Sequence, residues 1–215
     1  GGGEGSKVWE FEDTFAEYHN AKHGVATSSG TQALLNALKG ANVEPGDEVL
    51  TPALTFFASA TCILFLDAIP IFVDVDPASY NMDPKAMESA ITDKTKAIIV
   101  VHNGGYPADM DAIMQIANKH NIPVVEDCAH AHGSEWRGTR VGAIGHLGAF
   151  SLMAGKSLAG GEGGIVLTNH EKLRENMYAY MDMGRWTERT DKSVRLGVPS
   201  NFRMPGWTAA VLLAQ

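Results

Sequence analysis

The stretch 150–164, FSLMAGKSLAGGEGG, sets one lysine, Lys156, among glycines and small residues, with apolar runs on both sides. That pattern reads as strand, tight turn and strand, with the lysine on the turn. An amine pressed against buried strands is poorly solvated, and desolvation disfavours the ammonium form. A neutral amine attacks carbonyl carbons and forms Schiff bases. A surface lysine on a hairpin would do none of this, so Lys156 takes its meaning from what the rest of the chain brings to it.

Four other places offer complementary chemistry. The run 24–27 leads through Ser28-Ser29-Gly30-Thr31 into a helical pattern. A strand, a turn of small residues and a helix N-terminus direct backbone N–H groups and the helix dipole at one point, which suits a phosphate. The same residues also make an ordinary helix cap through Ser29 or Thr31. Asp127 and His130 follow the apolar run PVVE, Phe56 follows the strand before it leaves for the next helix, and Ser151 precedes the lysine turn. Asp127 could equally cap a turn, Phe56 could be plain core, and Ser151 could be a buried hydroxyl bonded to backbone. Glu162 reads either as a turn carboxylate or as a partner of Lys156. An amine, a carboxylate, a flat aromatic and a phosphate cradle in one crevice suit pyridoxal phosphate. The lysine holds the aldehyde, and the aspartate keeps the ring nitrogen protonated so that the ring accepts electrons.

These residues meet only if the fold delivers them to one edge. An amphipathic helix is expected over 8–18, with Val8, Phe11, Phe15 and Tyr18 at spacings of three and four. Strands are expected at 24–27, 48–51, 69–75, 96–102 and 122–126, and helices at 32–38, from about 58 to 66, 84–91 and 108–120. Alternation of this kind means a mostly parallel α/β sheet. Ligands in such sheets collect at the carboxyl ends of the strands. Those ends fall at 28–31, Thr55-Phe56, His102, Asp127 with His130, and Ser151 with Lys156. The polar run 185–197 reads as a mobile loop.

Composition narrows the function. The chain has 215 residues and a net charge of −8, which gives no electrostatic support to nucleic-acid binding. No apolar run is long enough to span a bilayer. Cys62 and Cys128 do not form a disulfide framework, which points to a reducing cytoplasm. Cys128, His130 and His132 suggest a metal cluster, and His102 with His130 and His132 a metal hydrolase, but no zinc-type spacing is present and no metal is expected. Neither a dinucleotide fingerprint nor a Walker lysine is found. Residues 209–215 read as a helix cut in mid-course, so a fragment is expected.

The blocks SSGTQAL (28–34), PGDEVLTPALTFFAS (45–59), PIFVDVDPASYNMDP (70–84), VEDCAHAHG (125–133), FSLMAGKSLAGGEGG (150–164) and SNFRM (200–204) resemble, in this order, the DegT/StrS family of pyridoxal-phosphate aminotransferases. The resemblance implies the type I aminotransferase fold, with residues 1–215 as its cofactor-binding large domain and the small C-terminal domain missing. It implies Lys156 as the Schiff-base lysine, Asp127 on the pyridinium nitrogen, His130 near the ring hydroxyl and Phe56 stacked on the ring. It implies phosphate contacts from Gly30, Thr31, Gln32 and Ser151. Asn201 would reach the phosphate of a neighbouring subunit in a homodimer. Leu152 stands where the family has phenylalanine, and Pro205-Gly206 replaces a polar pair.

The activity so implied moves an amino group from glutamate or glutamine to a keto sugar attached to a nucleotide. Family dehydratases carry histidine at the lysine position, so Lys156 argues against them. A second likeness, strongest in DCAHAHGSEWRG and SNFRM, is to 3-amino-5-hydroxybenzoate synthase, which dehydrates and aromatises its substrate. A third reading is a truncated domain that binds the cofactor without turnover.

Overall fold

The computed structural model describes residues 5–185 and 199–215. Helix α1 (Lys7–Tyr18) buries Val8, Phe11 and Phe15 on one face, as their spacing requires. Strand β1 (His23–Thr27) leads into α2 (Gly30–Gly40), then β2 (Glu48–Pro52), α3 (Ala58–Leu64), β3 (Ile69–Val73), α4 (Pro84–Ala90), β4 (Thr95–Val101), α5 (Met110–His120) and β5 (Val124–Asp127). A small hairpin, β6 (Glu135–Trp136) with β7 (Thr139–Arg140), precedes β8 (Leu147–Ser151) and β9 (Gly164–Thr168). Helices α6 (Glu171–Met181) and α7 (Gly206–Leu213) follow.

Local chemistry fixes the helix ends. Ser29 caps α2 by accepting from the Gln32 N–H, and Asp83 caps α4 ahead of Pro84. Asp109 caps α5, and Asn121 closes it in the left-handed conformation. The expected elements are all present, displaced by one or two residues at most ends. Helix α6 and the β6–β7 hairpin were not anticipated: α6 carries its apolar residues in a polar sequence with weak periodicity. The loop expected at 185–197 lies, Arg185 apart, outside the described residues.

The main sheet has the order β1-β9-β8-β5-β4-β2-β3. Strand β9 runs antiparallel to both β1 and β8, while the pairs β8–β5, β5–β4, β4–β2 and β2–β3 are parallel. Six strands therefore deliver their carboxyl ends to one edge, and β9 starts from that edge. Strands β5, β8 and β9 are buried throughout, which explains their unbroken apolar sequences. Strand β3, expected to be like the others, is a half-exposed edge with Ile69 and Phe72 open. Glu12 of α1 is fully buried and takes the Ala26 N–H at 2.8 Å and the Tyr178 hydroxyl, tying α1 to β1 and α6.

Candidate active site

The turn between β8 and β9 carries Lys156. It is clamped at its base, where Leu152 N–H donates to the Gly163 carbonyl at 2.8 Å and Ala154 N–H to that of Gly161 at 2.9 Å. The lysine's own N–H bonds the Met153 carbonyl at 2.9 Å. Lys156 is half-buried, and desolvation lowers its pKa; the charge of Asp127 opposes this by favouring the ammonium.

The start of α2 packs against this turn with no room to spare. A Cβ at Gly30 would lie 2.6 Å from Ser151 Cβ, and one at Gly164 would lie 2.4 Å from the Ser29 carbonyl oxygen. Only glycine allows β9 and the helix N-terminus to approach so closely. The free N–H groups of the first turn of α2 then face the cavity beside Ser151.

Asp127 ends β5 and is buried. Its Oδ1 accepts the Ala129 N–H at 3.1 Å and its Oδ2 accepts the Ser59 hydroxyl at 2.8 Å. Burial pushes its carboxyl above the usual range, and the Ser59 bond is the foremost influence holding it down. The preceding residue, Glu126, is fully buried too, with both oxygens occupied. Oε2 takes His102 Nε2 at 3.0 Å and Gly142 N–H at 2.8 Å, and Oε1 takes Ile144 N–H at 2.9 Å and Gly145 N–H at 2.6 Å. His102 Nδ1 accepts the Ala108 N–H at 3.1 Å, so Nε2 carries the proton and donates to Glu126.

The strand ends enclose one cavity of about 430 Å³, within the range of small-molecule sites. Gly30, Thr31, Phe56, Asp127, His130, Ser151 and Lys156 line it, as do Thr55, His102 and Glu162. Phe56 and His130 are exposed at its mouth, so neither is ordinary core. Two expected contributors do not line it. The Gln32 N–H is taken up by the Ser29 cap at 3.2 Å. Asn201 is exposed and pairs with Asp182 on the segment that Arg203 and Asp182 hold together. Sequence reading missed Ser59 and Glu126. Both sit within apolar patterns, and only the tertiary hydrogen bonds reveal them.

Metal ligation finds little support in these groups. His102, Glu126 and Cys128 are buried with their ligand atoms within 4.8 Å of one another, but the lone pairs and protons of the first two are committed to hydrogen bonds. Burial also raises the Cys128 thiol well above its usual pKa, against the thiolate a metal needs. His132 Nε2 donates to the Ser151 carbonyl at 2.9 Å and is not free to ligate from that side.

Pyridoxal phosphate does fit. A glycine-walled helix start would receive the anion, an amine with lowered pKa would receive the aldehyde, and a buried carboxylate lacks the full counter-charge that a protonated ring nitrogen would supply.

Known aminotransferases and related enzymes are similar to the chain in sequence and fold. The L-glutamine:2-deoxy-scyllo-inosose aminotransferase of Streptomyces lividus is 46% identical over 166 residues, which cover 77% of this chain and 39% of that protein. The GDP-perosamine synthase of Caulobacter vibrioides is 40% identical over 211 residues, 98% of this chain and 56% of its own length. The crystal structure of 3-amino-5-hydroxybenzoic acid synthase superposes with a TM-score of 0.90 at 40% identity, covering 97% of this chain and 54% of that one. The chain thus spans about half the length of the relatives it matches. Its residues 2–215 match the DegT/DnrJ/EryC1/StrS aminotransferase family, whose members depend on pyridoxal phosphate, and the chain belongs to that family.

Proposed function

We propose that the protein is an aminotransferase that moves an amino group from glutamine or glutamate to the keto carbon of a sugar or a related cyclic polyol, with a nucleotide-linked sugar as the acceptor. The observation that carries this reading is the convergence of Lys156 and Asp127 on one cavity beside the α2 N-terminus. When bound, pyridoxal phosphate supplies an aldehyde and an electron-withdrawing ring. Lys156 would hold the aldehyde through Nζ, and its amine would serve as the acid–base group for the proton on the amino donor's Cα. Asp127 would hold the ring-nitrogen proton, and Phe56, at the cavity mouth, would cover the ring. Thr31, Ser151 and the α2 N–H groups hold the phosphate. His130, which lines the cavity, would serve the ring hydroxyl.

We further assign Asn201 to the phosphate site of a neighbouring subunit in a homodimer. Support comes from exposed apolar side chains, Phe56 at the cavity and Phe57, Leu64, Phe65 and Phe72 along α3 and β3, which a partner subunit would cover. The GDP-perosamine synthase and the inosose aminotransferase support the acceptor class. A second reading, an aromatising dehydration, draws on the likeness to 3-amino-5-hydroxybenzoic acid synthase, whose structure superposes with a TM-score of 0.90.

The test uses the full-length protein. Borohydride should fix the cofactor to Lys156, shown by peptide mapping, and K156A should abolish the visible absorbance. Glutamine-dependent amination of nucleotide-linked keto sugars should follow, with no aromatic product. A colourless protein that takes up no added cofactor sinks the aminotransferase reading.

A further inference from the structure

We infer that Thr55 and Ser59 are positioning residues: two hydroxyls in series that orient the Asp127 carboxylate and hold it ionised. The inference rests on the assignment of Asp127 to the ring nitrogen.

Ser59 lies in the first turn of α3 and is fully buried. Its hydroxyl is 2.8 Å from Asp127 Oδ2 and 2.8 Å from Thr55 Oγ1. An ionised carboxylate has no proton to give, so Ser59 must donate to it. The single Ser59 proton is then spent, and Thr55 must donate to Ser59. Thr55 lines the cavity, and its oxygen is left as an acceptor there. The series therefore has a direction that depends on the charge of Asp127. With a neutral carboxyl group carrying its proton on Oδ2, both bonds would reverse.

Capping does not account for this arrangement. The Ser59 hydroxyl makes no bond to the helix backbone; the main-chain Ser59 N–H bonds the Phe56 carbonyl at 3.1 Å. The need for a donor is physical. Asp127 sits between apolar layers, where a carboxylate without hydrogen bonds takes up a proton. Lys156 from the β8–β9 turn, His102 after β4 and His130 after β5 face it, and Cys62 of α3 and Cys128 lie close enough to feel its charge. Glu126 is its neighbour on β5, with a carboxylate already saturated. Ser59 is thus the one side-chain hydroxyl bonded to Asp127 among the described residues.

The experiment titrates full-length apo-protein carrying 13C-labelled aspartate carboxyls, with D127N to assign the Asp127 signal. S59A should raise the Asp127 midpoint by about one pH unit. T55V, at a half-buried position, should raise it by less and leave the fold intact. S59T, which keeps the hydroxyl, should restore the wild-type midpoint. Titration with pyridoxal phosphate should then show weaker binding by S59A than by S59T. An Asp127 midpoint unmoved in both S59A and T55V overturns the inference. The reading beneath it fails separately, if D127N binds the cofactor as tightly as wild type while S59A still moves the Asp127 signal.

Discussion

Glu126 and Asp127 are consecutive on β5 and both buried, yet their carboxylates are held in opposite ways. Glu126 takes four hydrogen bonds, three from backbone N–H groups of the 142–145 loop and one from His102. Asp127 takes two on its side chain and keeps an open aspect to the cavity. The first is an anchor and the second is an instrument. Because the main-chain N–H of His102 donates to the Asp127 carbonyl at 3.1 Å, what Glu126 fixes through the His102 ring bears on the backbone under Asp127.

Replacing Glu126 by glutamine should therefore act through stability. The amide offers one oxygen where two were used, and its NH2 faces two donors. At least one buried N–H loses its partner, at about 3 kcal/mol. Urea denaturation of full-length E126Q should show this loss with the m-value unchanged. Wild-type stability in that variant would mean that the loop re-bonds elsewhere.

The glycines at the cradle give a sharper test of the phosphate site. Gly164→Ala sets a methyl 2.4 Å from a carbonyl oxygen of the Ser29 backbone, which cannot swing away. Gly30→Ala meets Ser151 Cβ at 2.6 Å. Both should weaken pyridoxal phosphate binding by about tenfold or more, because the α2 N-terminus must back away from the turn. Gly206→Ala, with open space around it, should leave binding unchanged. The measurement is cofactor titration followed by absorbance.

The sequence made the site legible for a structural reason. In a sheet whose strands nearly all point one way, the residues just after each apolar run share an edge, so Ser28–Thr31, Phe56, Asp127 and Lys156 could be brought together from strand ends alone. The reversal of β9 did not spoil this, since it begins at the same edge. What stayed hidden is lateral. Ser59 lies in a helix whose sequence, ASATCIL, advertises only packing, and its partner is 68 positions away. Glu126 reads as a break in an apolar strand, and the loop that satisfies it has no signature beyond its glycines. Helix α6 was missed because its buried tyrosines and methionines do not follow a clean helical period.

His19 predicts an acid limb of stability. It is buried, its Nδ1 is held by the Phe15 carbonyl, and burial lowers its pKa to about 4. Between about pH 6.5 and 4 the unfolded chain binds a proton that the folded chain refuses. The contribution is complete above the unfolded value and is lost as pH falls, at up to about 1.4 kcal/mol per pH unit. Phenylalanine at this site, beside the rings of Phe15 and Phe150, should flatten that limb. Denaturation midpoints of wild type and H19F at several pH values would show parallel slopes if the proposal is wrong.

The exposed aromatic side chains along α3 lead to an assembly prediction. Phe65 is 65% exposed at the end of α3, an extravagant cost for a side chain meant to face water. Phe65→Glu in the full-length protein should shift sedimentation from dimer to monomer and weaken cofactor binding together, since Asn201 then reaches no neighbouring site. A monomeric wild type, or a monomeric variant with undiminished cofactor affinity, would remove Asn201 from the site.

Asp127 itself should trade stability for function. Its folded pKa lies above the unfolded one, so in the interval between them the folded chain binds the extra proton, and stability falls as pH rises through the folded value. Above the folded value the apo-protein carries a charge that its interior resists. Asparagine fills the same space without that charge and still accepts a bond from Ser59 or Ala129. Apo D127N should be more stable than wild type at pH 7, and the difference should vanish below about pH 3.9, where the unfolded carboxyl is protonated too. The cofactor should reverse the order, because a cationic ring nitrogen stabilises the carboxylate and not the amide. Paired melts with and without pyridoxal phosphate read both effects, and a D127N protein less stable than wild type in the apo state at pH 7 would show that the carboxylate belongs to the fold and not to the ligand.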